Sequence, residues 1–393
     1  MTQPAAPEEV WITGVGLVSS LGEGAAPHLA ALERPVPQPV LDEEAFAPFP
    51  IHPLPPLDLD RQIPRKGDQR QMEPWQRLGT YAAGLALDDA GARDRVSDMH
   101  LVVAAGGGER DVALDEQIAA ELARMPPERA GHVLNARLAG GLRPTLFLAQ
   151  LSNLLAGNIS IVHGVTGSSR TFMGEEQSAA EAVRVAAARL REGRGGIALV
   201  GGAYAAGRWD MLLVYAASGG LWRGPWAPLA GRLPRGGMVT GSAGAFLVLE
   251  TATHARARGA RGLARIAAVA STAARRRGED TAHAAAGRLA TPLLSALRPG
   301  YAVLSGATGM PVPTAAESAF LAWLRDAGPA QGAVRFTADL IGHSVEASFP
   351  ANLGLAALAI GAGRQPQALV TGFGMWRGEA LALLEPVTEG AAA

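Results

Sequence analysis

The sequence predicts an α/β fold built on a largely parallel sheet with helices on both faces. Short apolar, β-branched runs alternate with longer stretches of helical spacing from Val10 to Thr371. The runs are continuously apolar, as expected of strands buried on both faces. At 393 residues the chain can bury roughly three quarters of its unfolded surface, enough for one large domain or two fused medium ones.

Val10 to Val18, VWITGVGLV, reads as a buried strand that the chain leaves at Gly14 and Gly16. This Gly-x-Gly is a weak dinucleotide signal, because Ser19 stands where a third glycine belongs and no obvious amphipathic helix follows; a tight turn or close strand packing explains it. Pro35 to Pro64 is proline-dense and acidic near its end, and reads as an extended surface insertion. Glu73 to Ala90 has helical spacing and a stop at Gly91. Leu101 to Ala105 reads as a short strand ended by Gly106, Gly107 and Gly108, followed by helical segments around Asp115 to Met125 and Pro144 to Leu155. The block NISIVHGVTGSSRTFMGEEQ then reads as a strand over Asn158 to Val162, a glycine turn, and a helix from Glu175 to Glu192 closed by Gly195 and Gly196. Ile197 to Val200 with Gly201 and Gly202 forms the next strand. Ala243 to Glu250 and Gly262 to Ala270 read as a strand pair joined by a short Arg-bearing helix, and Arg275 to Arg277 as a solvated loop. The last third repeats the alternation: helix His283 to Leu297, strand Tyr301 to Leu304, helix Ala315 to Ala327, strand Val334 to Ala338, helix Ala351 to Ile360, strand Ala368 to Thr371.

Composition excludes several classes. A formal charge of -1 and few aromatics give no nucleic-acid footprint. Lys66 is the sole lysine, which all but removes Schiff-base chemistry. There is no cysteine, hence no disulfide and no thiolate metal site, and the eight histidines lack ligand spacing, so no metal is expected. MTQPAAPEEV has no basic n-region or apolar h-region, and no apolar run reaches about eighteen residues, so a soluble cytoplasmic protein without a membrane span is expected.

Five stretches carry a family likeness: ITGVGLVSSLG, NISIVHGVTGSSRTF, ALVGGAY, TGSAGAFLVLETATHARARGAR, and GFG at Gly372 to Gly374. Over almost its full length the chain resembles the β-ketoacyl-carrier-protein synthases of the thiolase-like superfamily. The resemblance implies a five-layered αβαβα fold of two pseudo-repeated halves, residues 1–258 (with the insertion at 35–64) and 259–393. It implies no cofactor, and an acyl carrier protein bearing its chain on phosphopantetheine as partner. KGDQRQMEPWQRLGTYAAGLALDD and TGSSRTFMGEEQ are also similar to a synthase-like protein encoded with the very-long-chain fatty-acid system for lipid A in rhizobia and related α-proteobacteria.

The family's positions transfer one at a time. Its nucleophilic cysteine lies nine residues after the turn glycine and twenty-five before the double glycine; counted from Gly167 and back from Gly201, both rulers reach Glu176. Its first histidine falls at Gly306, with the glutamate eleven residues on at Glu317. Its lysine falls at Ala338 and its second histidine at His343, while Phe373 stands at the gate of the acyl pocket. Of the Cys, two His and Lys, one His remains.

Glu176 is either a helix-start acid, favourable by about 0.3–1 kcal/mol, an ion pair filling the old site, or a catalytic group. As a nucleophile it would make an acyl anhydride from a thioester, an uphill transfer. An enolate formed by decarboxylation would lack donors worth about 10²–10³ in rate each, and would meet carboxylate repulsion of about 4 kcal/mol at 4 Å and an effective dielectric of about 20. Ser168, Ser169 and Ser242 are candidate hydroxyls without the Gly-x-Ser-x-Gly frame. The resemblance therefore implies a degenerate, chain-length-factor-like subunit that dimerises with a cysteine-bearing ketosynthase across Asn158 to Val162 and shapes the acyl tunnel. Glutamine is the common replacement in that group, and here it is one residue late, at Gln177. The alternatives are an enzyme using Glu176 and His343 on acyl thioesters, and a homodimeric acyl- or carrier-protein-binding module.

Overall fold

The computed structural model describes residues 8–143, 146–233, 235–273, 275 and 279–388. Within them the strands are β1 (Val10–Ser19), β2 (Gly22–Glu23), β3 (Ile51–His52), β4 (His100–Ala104), β5 (Ser169–Phe172), β6 (Ile197–Tyr204), β7 (Thr240–Gly241), β8 (Ala243–Thr251), β9 (Ala264–Ser271), β10 (Tyr301–Ser305), β11 (Gln331–Phe336), β12 (Ala368–Phe373) and β13 (Glu379–Glu385). β3 and β7 pair with each other. The rest form one sheet of order β11-β10-β12-β13-β9-β1-β8-β6-β4-β5, with β2 on β1.

One pairing scheme occurs twice along that order. β4 lies parallel between β5 and β6, β6 pairs antiparallel with β8, and β8 with β1. Likewise β10 lies parallel between β11 and β12, β12 pairs antiparallel with β13, and β13 with β9. The two sets meet where Trp11 opposes Arg265 and Ile12 opposes Ala264. The expected largely parallel sheet is thus mixed: a strand buried on both faces reads as a plain apolar run in either direction. For the same reason β8 and β9 do not pair, since β1 lies between them.

Side-chain alternation turns these strands into layers. On β4, Leu101 and Val103 pack with Leu78, Tyr81 and Leu87 of the outer helix Pro74–Asp89, while Val102 and Ala104 join Ala179, Val183 and Ala186 of helix Glu175–Arg191. That helix shares its core with Leu353, Ala356 and Ile360 of helix Ser348–Gly361 and with Leu304 and Val370 of the second strand set. On the far side Val303, Leu369 and Leu381 pack with Ala286 of helix Glu279–Ala290 and Phe320 of helix Pro311–Ala327. The result is the α/β, five-layered arrangement, with two helices sandwiched at its centre.

Several local expectations need correction. β1 runs on through Gly14 and Gly16. The glycines serve close packing, because a Cβ at Gly16 would lie 1.9 Å from the Ala82 carbonyl oxygen of the helix above. Asn158 to Val162 belong to helix Leu154–His163, ended by Gly164 at φ 75°; the strand beside the site helix is β5. Ala338 opens the short helix Ala338–Ile341, so β11 stops at Phe336. The 35–64 insertion is irregular but not wholly superficial: Phe49, Ile51 and Ile63 are buried, and β3 lies along β7. Pro144, Arg276 and Arg277 lie outside the described residues. Among the described residues no helix is long and apolar enough to cross a membrane.

Candidate functional site

The site forms where the two central helices begin. Gly174 at φ 126° and Glu175 at φ 50°, a left-handed geometry uncommon for a non-glycine residue, turn the chain from β5 into helix Glu175–Arg191. This bend delivers Glu176 into the interior, 8% exposed. Its Oε1 lies 2.7 Å from His343 Nε2, and its Oε2 accepts the Met375 backbone N–H at 3.3 Å.

His343 is fixed from both sides of its backbone. Its N–H donates to the Val239 carbonyl at 2.9 Å, and its carbonyl accepts from Gly241 N–H at 2.9 Å. Burial pushes the Glu176 carboxyl up, but the His343 hydrogen bond and charge, with the amides of Glu176 and Met375, outweigh that and hold it below its ordinary value. Glu176 is therefore an ionised group inside the protein, paired as a buried charge must be.

Glu176, Gly306, His343 and Phe373 all line one small cavity, together with Ser348, Asn352 and Thr371. Ala338 is buried but does not line it. Gly306 has no room for a side chain: an added Cβ would lie 2.4 Å from the Thr371 carbonyl oxygen. The Gly306 N–H donates to Thr371 Oγ1 at 3.1 Å, and that hydroxyl in turn donates to Glu317. Glu317 also accepts from Ser305 Oγ at 2.8 Å. Burial pushes its carboxyl up to about 7, partly offset by the Thr371 and Ser305 hydroxyls. Phe373 is fully buried, its ring 5.8 Å from that of Phe320.

A second small cavity is lined by Trp75, Gly106, Tyr204, Arg208 and Glu346. Burial, with the charges of Glu176 and Glu175, raises Glu346 to about 7. Arg208 is paired with Asp210 at 2.7 Å.

The candidate serines lie apart from both cavities: Ser168 Oγ contacts His100 Nδ1 at 2.8 Å in an exposed position, Ser169 is exposed, and Ser242 Oγ accepts the Ala206 N–H. Sequence reasoning missed Ser348, Thr371 and the Met375 amide. A backbone amide carries no residue signal, but Ser348 stands five residues after His343 at a helix start, where a polar side chain in an apolar run is visible. Among the described residues no group of three or more His, Asp or Glu is placed to hold a metal ion.

Fold and site together define a thiolase-like scaffold with a buried carboxylate–imidazole pair in its cavity and no thiol anywhere in the chain. The family model for the β-ketoacyl synthase N-terminal domain matches residues 56–255, and the chain belongs to the β-ketoacyl synthase family. No curated protein is significantly similar in sequence. Among solved structures it is similar to the ishigamide ketosynthase/chain length factor, with 21% identity, TM-score 0.76 and coverage of 98% of this chain and 100% of that one. It is also similar to a β-ketoacyl synthase from Burkholderia phymatum (18%, 0.75, 97% and 100%) and to a type II polyketide ketosynthase solved with its acyl carrier protein (16%, 0.73, 97% and 100%). At these identities the likeness is one of fold.

Proposed function

We propose that this chain is a non-condensing, chain-length-factor-like subunit that pairs with a cysteine-bearing ketosynthase and helps shape the acyl tunnel during carrier-protein-borne fatty-acid synthesis. The observation that carries this is the Glu176–His343 pair at 2.7 Å. A buried carboxylate hydrogen-bonded to an imidazole stands at the position that the resemblance gives to the nucleophile, and a carboxylate there would form only an uphill acyl anhydride from a thioester. Gly306 and Ala338 remove the remaining donors of the family's set.

The surface supports a partner. β5 ends the sheet order, so one of its edges is open. Ser168 and Phe172 carbonyls bond to β4, so by alternation Ser169 and Thr171 direct their backbone groups outward. Helix Leu154–His163 packs against β5, and Ile161 on that helix and Met173 just after β5 are exposed. Exposed apolar side chains beside an open edge are what a protein interface looks like before its partner arrives.

The test is copurification with candidate cysteine-bearing synthases, followed by mass spectrometry of carrier-bound products. Product should form in the mixture and not with this chain alone, and Thr171→Pro, which removes an outward N–H while sparing the β4 ladder, should abolish pairing. Robust condensation by the isolated chain would overturn the proposal.

A further inference from the structure

Two buried donors on one cavity have no partner in the chain. Trp75 is 2% and Tyr204 4% exposed, yet Trp75 Nε1 and Tyr204 Oη hydrogen-bond to nothing among the described residues. Buried polar groups in folded proteins are almost always paired, with protein or with ordered water. Both side chains line the second cavity, beside Gly106, Arg208 and Glu346. Its free volume is about 20 Å³, and a water molecule needs roughly 10–15 Å³. We propose that this cavity binds a single water molecule, which joins Trp75, Tyr204 and Glu346 and so ties helix Pro74–Asp89, β6 and the His343 segment together.

The groups around the cavity select water over an ion. An indole N–H only donates. Burial, with the charge of Glu346, raises the Tyr204 hydroxyl above its ordinary value, so it keeps its proton and can donate as well. Two donors reject a cation. An anion is rejected in turn by the Glu346 carboxyl and by the nearby charges of Glu175 and Glu176. Arg208 does not compensate, because its guanidinium is held by Asp210 at 2.7 Å and by the Gly108 carbonyl at 2.7 Å. A water molecule accepts from Trp75 and Tyr204 and donates to Glu346, about three bonds in all, the usual number for a buried water.

Glu346 gives the site a consequence. A Cβ placed on Gly106 would lie 2.5 Å from Glu346 Oε1, so the glycine is what lets the carboxyl reach the cavity wall. Burial and the charges of Glu176 and Glu175 push that carboxyl up to about 7, against the opposing charge of Arg208. A hydrogen bond donated to a carboxylate favours its ionised form, so the water acts against burial. Removing one of the water's anchors should therefore let Glu346 hold its proton to higher pH. None of this depends on subunit pairing, and the site and the proposed function can fail separately.

The test uses crystals of the full chain, native and soaked in bromide, and a titration of Glu346 followed by carbon-13 NMR, with Glu346→Gln to identify its signal. The expected result is one water peak within about 3.2 Å of Trp75 Nε1, Tyr204 Oη and a Glu346 carboxylate oxygen, with no bromide signal at that point. Tyr204→Phe removes one anchor and keeps the ring. It should raise the Glu346 midpoint by at least about half a pH unit and lower the folding equilibrium constant about threefold to tenfold. A dry cavity, a bromide peak at the same point, or an unchanged midpoint in Tyr204→Phe would overturn the site.

Discussion

Two carboxylates, Glu176 in the cavity wall and Glu317 behind the cavity-lining Thr371, teach how this protein handles buried charge. Glu176 and Glu317 are both buried, 8% and 1% exposed. Glu176 faces an imidazole and an amide and is held ionised; Glu317 faces two hydroxyls and is pushed up to about 7. Burial alone therefore does not set the charge: a partner able to carry positive charge does. Where an imidazole stands, the carboxylate is held ionised. Beside Gly306, where no imidazole stands, Glu317 rests on the Ser305 and Thr371 hydroxyls alone.

The largest expected effect comes from breaking the charged pair. His343→Ala strands Glu176 inside the protein and should cost about 3–5 kcal/mol of stability, read from urea unfolding midpoints. A loss under about 1 kcal/mol would mean that the pair behaves like a surface contact. The second carboxyl yields a pH signature. The folded pKa of Glu317 lies above its unfolded value of 4.5, so its contribution is fully present below pH 4.5 and is lost as pH rises through about 7. The loss is on the order of 3 kcal/mol, with Glu346 acting in the same direction. Glu176 has the opposite sign: its contribution is present above its ordinary value and is lost as pH falls through its depressed folded pKa. Glu317→Gln should therefore flatten stability between pH 4.5 and 7 without altering the acid limb. An unchanged upper slope would remove the contrast between the two carboxylates. The smallest effect belongs to the exposed Arg377–Glu175 pair at 3.4 Å. Arg377→Ala should change stability by no more than about 0.5 kcal/mol, which sharpens the view that pairing matters here only when water is excluded.

The sequence exposed the layers more clearly than the pairings. Apolar runs at β1, β6 and β8 read as buried strands and are so. β13, EALALLE, escaped because its Ala, Leu and Glu favour a helix in isolation; burial along its whole length between β12 and β9 overrides that preference. NISIVH failed the other way, as β-branched residues in a helix whose Leu155, Ala156 and Ile159 face the core. The family resemblance pointed to Glu176, Gly306, His343 and Phe373, and all four line one cavity. It could not show that Glu176 also takes the Met375 amide, because that contact joins positions 199 apart through a backbone atom.

Gly306 limits what this wall of the pocket can carry. Placing a histidine there is not a matter of one codon, because its Cβ would come within 2.4 Å of the Thr371 carbonyl on β12. β12 is hydrogen-bonded to β10 on one side and β13 on the other. Neighbouring strands would have to move before an imidazole could be seated, so a single substitution would arrive in a protein that cannot accept it.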